Sequence, residues 1–165
     1  MIRIPAFLLF ATLIFIAAPA KSQRLVFLFG HAEYATPTGD LKHKVDQGFG
    51  AEAGVGVGLS KTFFIATVGS TWLMASDAGT LGTLRYTPVK VGIRRYVFRR
   101  NIFIKADGGM ASMKYAEAEE GSSHFTASFG AGLKFTALEV IGDYTTVSGG
   151  FGAWLSIKAG FTIGI

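Results

Sequence analysis

His124, Thr126 and Ser128 stand at two-residue spacing, and Glu139 and Asp143 follow them in the chain. A histidine that reaches a hydroxyl and is steered by a carboxylate is the minimal set for activating an oxygen nucleophile, so a grouping of His124, Ser128 and Glu139 is where covalent chemistry would be sought. The same spacing has a plainer meaning. Residues two apart share a face of an extended chain, and polar residues repeated at that interval make the polar side of a strand. His31 and His43 fall in or beside a long connection and read as solvated side chains. With no cysteine and no His-x-His spacing, no metal site is expected. Gly54-x-Gly56-x-Gly58 has the outline of a phosphate-cradling loop, but it lies mid-strand with no helix after it, and no cofactor is expected.

The charges are the second chemistry-bearing set. Glu52, Lys90, Arg94, Lys105, Asp107, Lys134, Glu139, Asp143 and Lys158 all sit on the non-apolar parity of their segments. Positive and negative members nearly balance, and buried charges persist only when paired, so they are expected to form a salt-bridged network on one face of a sheet.

The elements that carry these residues are legible from period two. Leu155, Ile157, Ala159, Phe161, Ile163 and Ile165 alternate with Ser156, Lys158, Gly160, Thr162 and Gly164. Phe125 to Phe135 and Phe49 to Leu59 repeat the pattern, with Gly, Ser and Thr dominating the other parity. Extended in this way, the chain divides into eight strands at 24–33, 47–59, 63–75, 84–97, 101–113, 123–135, 138–147 and 152–165. Their lengths exceed the usual 5 or 6 residues of soluble sheets and match the roughly 9 to 11 residues of a tilted membrane-crossing strand. Long and short connections alternate along the chain, which is the arrangement of an up-and-down meander with tight turns at one rim.

Composition narrows the class. The 165 residues include 22 Gly and 15 Phe, are half apolar and only 16% charged, and contain no Cys, which excludes disordered, collagenous and disulfide-framed chains. The one long apolar block, Ala6 to Ala18, follows a basic start and precedes Ala18-Pro19-Ala20-Lys21-Ser22, so residues 1–22 read as a cleaved signal peptide and 23–165 as one domain. Cleavage removes Arg3 and Lys21, and the charge balance of the remainder is too mild to argue for nucleic acid, where a clustered basic stripe is expected.

Which parity faces inward decides the function class. In a soluble ligand-binding barrel the apolar parity lines a cavity, leaving the Gly, Ser and Thr parity as a poorly charged aqueous surface. In a membrane barrel the small and charged residues fill the interior. Phe49, Val55, Val57, Val89, Val91, Ile104, Phe125, Phe129, Leu133, Val140, Leu155, Ile157, Phe161 and Ile163 then face lipid. Hydrocarbon tolerates only structures that satisfy every backbone hydrogen bond internally, so the expected fold is an all-β, eight-stranded antiparallel up-and-down transmembrane barrel, too narrow for an evident open channel.

The run Thr87-Pro88-Val89-Lys90-Val91-Gly92-Ile93-Arg94-Arg95-Tyr96-Val97, a basic turn, and Ile102-Phe103-Ile104-Lys105-Ala106-Asp107-Gly108-Gly109 resembles the central hairpin of the small outer-membrane β-barrel family. That family includes the membrane domain of outer-membrane protein A, the X-type proteins and the opacity-like "porin family" barrels, and the likeness is to members from Bacteroidota. The chain departs from the family in ending on Ile165 where an aromatic residue is common. The resemblance implies a Gram-negative outer-membrane location with periplasmic termini and long extracellular loops. Its implied partners are outer-membrane lipid, lipopolysaccharide and the assembly machinery, with a structural or binding role and a monomeric state expected. It also raises an alternative, because the family includes a lipid A deacylase and a palmitoyltransferase; a deacylase needs its His and Ser facing lipid, whereas His124 falls on the interior parity. A soluble periplasmic ligand-binding barrel is the further alternative. Trp72, Tyr86, Tyr96, Tyr144 and Trp154 near strand ends read as interfacial girdles, with ordinary packing as the alternative for isolated rings. Arg94, Arg95, Arg99 and Arg100 read as a solvated basic turn, with lipid headgroups or periplasmic partners as the alternative. The acidic loop Glu117-Ala118-Glu119-Glu120 reads as exposed; cations bridging lipopolysaccharide are its alternative ligand.

Overall fold

A computed structural model describes residues 26–76, 82–98, 101–116 and 121–164. The expected signal peptide, Arg99, Arg100, the acidic loop at 117–120 and Ile165 lie outside them. The described chain forms β1 (Val26–Thr38), a 3-10 turn (Gly39–His43), β2 (Val45–Leu59), β3 (Thr62–Ala75), β4 (Leu84–Phe98), β5 (Ile102–Tyr115), β6 (Ser122–Phe135), β7 (Leu138–Val147) and β8 (Gly152–Gly164). Neighbours in sequence pair antiparallel throughout. The sheet closes where β1 meets β8, with Phe27 opposite Gly164 and Thr38 opposite Ala153, giving an eight-stranded closed barrel as the alternation predicts.

The first connection differs from expectation. The stretch from Tyr34, read as the start of a long loop, continues β1 to Thr38. Thr36-Pro37-Thr38-Gly39 carries turn-type residues, yet Pro37 pairs with Trp154 of β8 beyond Ala35, the last residue of β1 paired with β2. A residue without an N–H is tolerated where the strand has only one hydrogen-bonding neighbour.

The interior is layered. At the loop end Ala35, Leu41, Val45, Leu73, Leu84, Tyr86, Ala111, Met113, Val147 and Trp154 form one apolar plug. At the tight-turn end Phe27, Phe29, Phe63, Ile65, Tyr96, Phe103 and Ile141 form another. Between them lies the charged belt. The buried charges are thus concentrated in the middle, and the lumen expected to be filled by polar side chains carries an apolar plug at each end as well, with threonines such as Thr126 and Thr162 buried among the plug residues. Three aromatic residues expected in interfacial girdles also belong inside: Trp154, Tyr86 and Tyr96 are at most 6% exposed. The Tyr86 ring lies edge-on to Trp154 at 4.8 Å. Trp72 and Tyr144 do lie outside, each close to half exposed.

Rings fit inside so narrow a cylinder because glycines stand opposite them. Phe27 pairs with Gly56, Phe29 with Gly54 and Phe103 with Gly132. A Cβ built on Gly56 would fall among the ring atoms of Phe27, and one on Gly54 against the ring of Phe29. The Gly-x-Gly-x-Gly run is thus a packing device. Gly56→Val should lower the unfolding free energy by about 1–3 kcal/mol, read from the urea midpoint of vesicle-refolded protein. Gly142→Val, whose new Cβ meets nothing within 4 Å, should change it by less than about 0.5 kcal/mol. Equal losses at the two positions would refute the packing role.

Candidate functional site

The belt begins with residues that strand parity sends inward from facing walls. Arg94 on β4 donates through Nη1 to both carboxylate oxygens of Glu139 on β7, each at 3.0 Å. Glu139 Oε2 meets His31 Nε2 at 3.2 Å, and His31 Nδ1 meets Glu52 Oε1 at 3.3 Å. Each ring nitrogen of His31 faces a carboxylate, so both bonds exist together only when both nitrogens carry hydrogen. Glu52 Oε2 accepts from Lys158 Nζ at 2.7 Å, and Lys158 reaches Asp143 Oδ2 at 2.9 Å. The same Asp143 oxygen meets Lys105 at 3.0 Å, Lys105 meets Asp107 Oδ2 at 2.7 Å, and Asp107 Oδ1 meets Lys90 at 2.9 Å. Lys90 also donates to Ser128 Oγ at 2.7 Å, and the Ser128 hydroxyl donates to Asp107.

Basic and acidic groups therefore alternate along one connected chain that crosses the lumen. Arg94, Glu139, His31, Glu52, Lys158, Asp143, Lys105, Asp107 and Lys90 are all under 10% exposed. Glu33 hangs from it, 3.9 Å from Lys158 and accepting from Thr71 of β3 at 2.9 Å. Lys134 sits at the tight-turn edge, 3.9 Å from Glu139. The Arg94 guanidinium also stands over the rings of Phe103, Phe27 and Phe29 at 4.3, 5.1 and 5.1 Å, joining the belt to the plug beneath it.

All the charges anticipated from parity are in or beside this belt, and all the residues anticipated to face lipid are exposed on the outside of the barrel. His31 was read as solvated and is instead 3% exposed at the centre of the network. Glu33 was not anticipated at all. Both stand on the same parity of β1 as Phe27 and Phe29, but β1 is apolar on both faces near its start, so alternation alone gave no direction there.

The grouping of His124, Ser128 and Glu139 does not assemble. Ser128 is bound to Lys90 and Asp107, and Glu139 stands opposite Lys134 at the other end of β6 from His124, about 34 Å along the wall. His124 lies at the loop-end mouth, its Nε2 2.8 Å from the Ser122 hydroxyl and its ring against Phe151. Among the described residues no carboxylate bonds to His124, and no group of three or more His, Cys, Asp or Glu is arranged to hold a metal. His43 lies exposed in the 3-10 turn. Of the basic turn, Arg94 points into the lumen and Arg95 points out.

Removing one member of a desolvated pair leaves its partner uncompensated. Arg94→Met should cost about 3–5 kcal/mol of unfolding free energy, against less than about 0.5 kcal/mol for Arg95→Met on the outside. Urea titrations of the two refolded variants check this, and similar small losses would mean that the belt does not hold the barrel.

No family model and no curated protein matches the sequence. Solved structures do share its fold. The N-terminal barrel domain of Pseudomonas aeruginosa OprF superposes with a TM-score of 0.60 at 11% identity, covering 83% of this chain and 97% of that one. Neisserial surface protein A gives 0.57 at 11% identity, covering 85% and 97%. The Yersinia pestis outer membrane protein Ail, in a phospholipid bilayer nanodisc, gives 0.52 at 16% identity, covering 83% and 99%. The chain has the fold of the small outer-membrane β-barrels.

Proposed function

We propose that this chain is an integral protein of a bacterial outer membrane, with a structural or binding role, a closed lumen, periplasmic termini and its longer loops outside. The observation that carries the reading is the inversion of the barrel. Its outward parity exposes Phe64, Val91, Ile157, Phe129 and Leu155 at 55–69%, while Lys90, Lys105, Lys158, Glu52, Asp107, Glu139 and Asp143 are buried between apolar plugs. In water such an exterior would be a continuous adhesive patch, whereas hydrocarbon solvates it. No helix among the described residues is long and apolar enough to cross a membrane.

Strand β4 sets a height. Arg85 and Arg95 bracket its outward Val89, Val91 and Ile93. At about 3.4 Å per residue and a tilt of about 40°, the interval between the arginines is about 26 Å, close to the roughly 25 Å apolar band of outer-membrane barrels. Lipid and lipopolysaccharide are the surrounding partners on this reading, and the assembly machinery the partner during insertion. The two plugs argue against a solute path, and the dispersed His124, Ser128 and Glu139 give no support to a lipid A hydrolase.

The two tryptophans separate outside from inside, Trp72 being exposed and Trp154 buried. In vesicles of lipids brominated near the headgroup end of the acyl chain, Trp154→Phe protein should lose much of its fluorescence, and Trp72→Phe protein should lose almost none. The unheated protein should also migrate differently from the boiled protein on a detergent gel. Quenching of Trp154, or a protein that stays soluble without detergent, would overturn the membrane reading.

A further inference from the structure

On the outer wall of β3 to β6 the side chains change character in rows. Val68, Val89, Met110 and Phe125 are aligned by strand pairing and all more than half exposed. One step of about 7 Å toward the loop end comes a row of hydroxyls, Thr87, Ser112 and Ser123, with Ser70 on β3 beside them. One step higher Trp72 pairs with Arg85, and Arg85 pairs directly with Lys114. Both cations are exposed.

Two like charges directly opposite on adjacent strands repel, with Cβ atoms about 5 Å apart. Among the described residues neither has a carboxylate partner: the acids there are either inside the lumen or, as Asp40 and Asp46, beside the first turn. Arg85 is nevertheless held in place. Its Nε donates to Ser70 Oγ at 3.3 Å, and its guanidinium lies 5.6 Å from the centre of the Trp72 ring. A guanidinium held over an aromatic ring beside an exposed ammonium presents a fork and a point charge to one anion, a combination that fits a phosphate group.

We propose that Arg85 and Lys114, with Trp72 and the hydroxyl row beneath, form a site for the phosphate-bearing headgroup of a lipid whose acyl chains lie on Val68, Val89, Met110 and Phe125. The occupant is a lipid because the cations sit directly above the apolar band, on the wall and not on a loop tip. The hydroxyls fall where a sugar or glycerol would join the phosphate to the chains. The inference rests on the membrane reading above and deepens it to one headgroup chemistry at one place.

The full chain, refolded in detergent micelles, should be titrated with bisphosphorylated lipid A, with the same lipid dephosphorylated, and with inorganic phosphate, retained lipid being counted by native mass spectrometry. The expected result is a preference of about tenfold for the phosphorylated lipid. R85Q/K114Q should abolish the preference, and Lys114→Gln alone should reduce it severalfold. K61Q/R95Q, which removes cations from the opposite rim, should leave it intact. Equal retention of the two lipids by the wild-type protein, or an unchanged preference in both Arg85 and Lys114 variants, would overturn the site. Displacement of the lipid by millimolar inorganic phosphate would overturn the lipid as its occupant. Bromolipid quenching of Trp72 in the same preparations keeps the two readings apart: retained quenching with no preference defeats only the site, and lost quenching defeats the membrane reading.

Discussion

The interaction on which the rest depends is the alternating chain of charges across the lumen. Every strand contributes to it: His31 and Glu33 from β1, Glu52 from β2, Thr71 from β3, Lys90 and Arg94 from β4, Lys105 and Asp107 from β5, Ser128 from β6, Glu139 and Asp143 from β7, and Lys158 from β8. Taking each ion out of water costs several kcal/mol, and only its neighbours in the chain offset that cost. The network is therefore poor at adding net stability and strong at discriminating between registers. A slip of one residue in any strand would turn its share of the charges toward the outer face and leave their partners bare.

That constraint imposes another, of volume. A cylinder of eight strands has little room, and it must hold long lysines and an arginine in the middle and aromatic rings at both ends. Glycine opposite the bulky residue is the recurring solution: Lys90 faces Gly109, Lys105 faces Gly130, Glu139 faces Gly160, and Phe63 faces Gly58. The high glycine content is thus set by what the lumen contains. The apolar plugs complete the arrangement, since excluding water from both ends strengthens the attraction along the belt and removes the solvation that would compete with it.

Much of this is legible in the sequence, and the failures share one cause. Alternation located all eight strands and put the charges on one side, because on β2, β6 and β8 the two parities differ sharply in residue type. It was silent on β1, where Phe27 and Phe29 inside alternate with Leu28 outside, so His31 and Glu33 had no contrasting neighbours to orient them. For Tyr86, Tyr96 and Trp154 the parity was informative: each is an even number of residues from Lys90, Arg94 or Lys158. The expectation of aromatic girdles overrode it, because residue type suggests an interface without saying which side of the wall the ring is on. The plugs were illegible for a related reason. Period two reports a face, and the variation along the barrel axis that separates plug, belt and plug is a property of eight strands in register.

The low identity to barrels of the same fold follows from this physics. At 11–16% identity the sequences share few residues, and what they must share to close a barrel is a pattern: apolar out, small or compensated in, tight turns at one rim. Which side chains satisfy the inner condition is free to vary, provided that each charge finds an opposite and each ring finds a gap. The outer condition is equally permissive in hydrocarbon, where one aliphatic residue serves as well as another. It becomes exacting only at the rims, where the solvent changes within a few ångströms. On the proposed membrane reading, residues such as Trp72, Arg85 and Lys114 would lie at that boundary, outside the demands of closure, and so would be free to carry what distinguishes this barrel from others built on the same pattern.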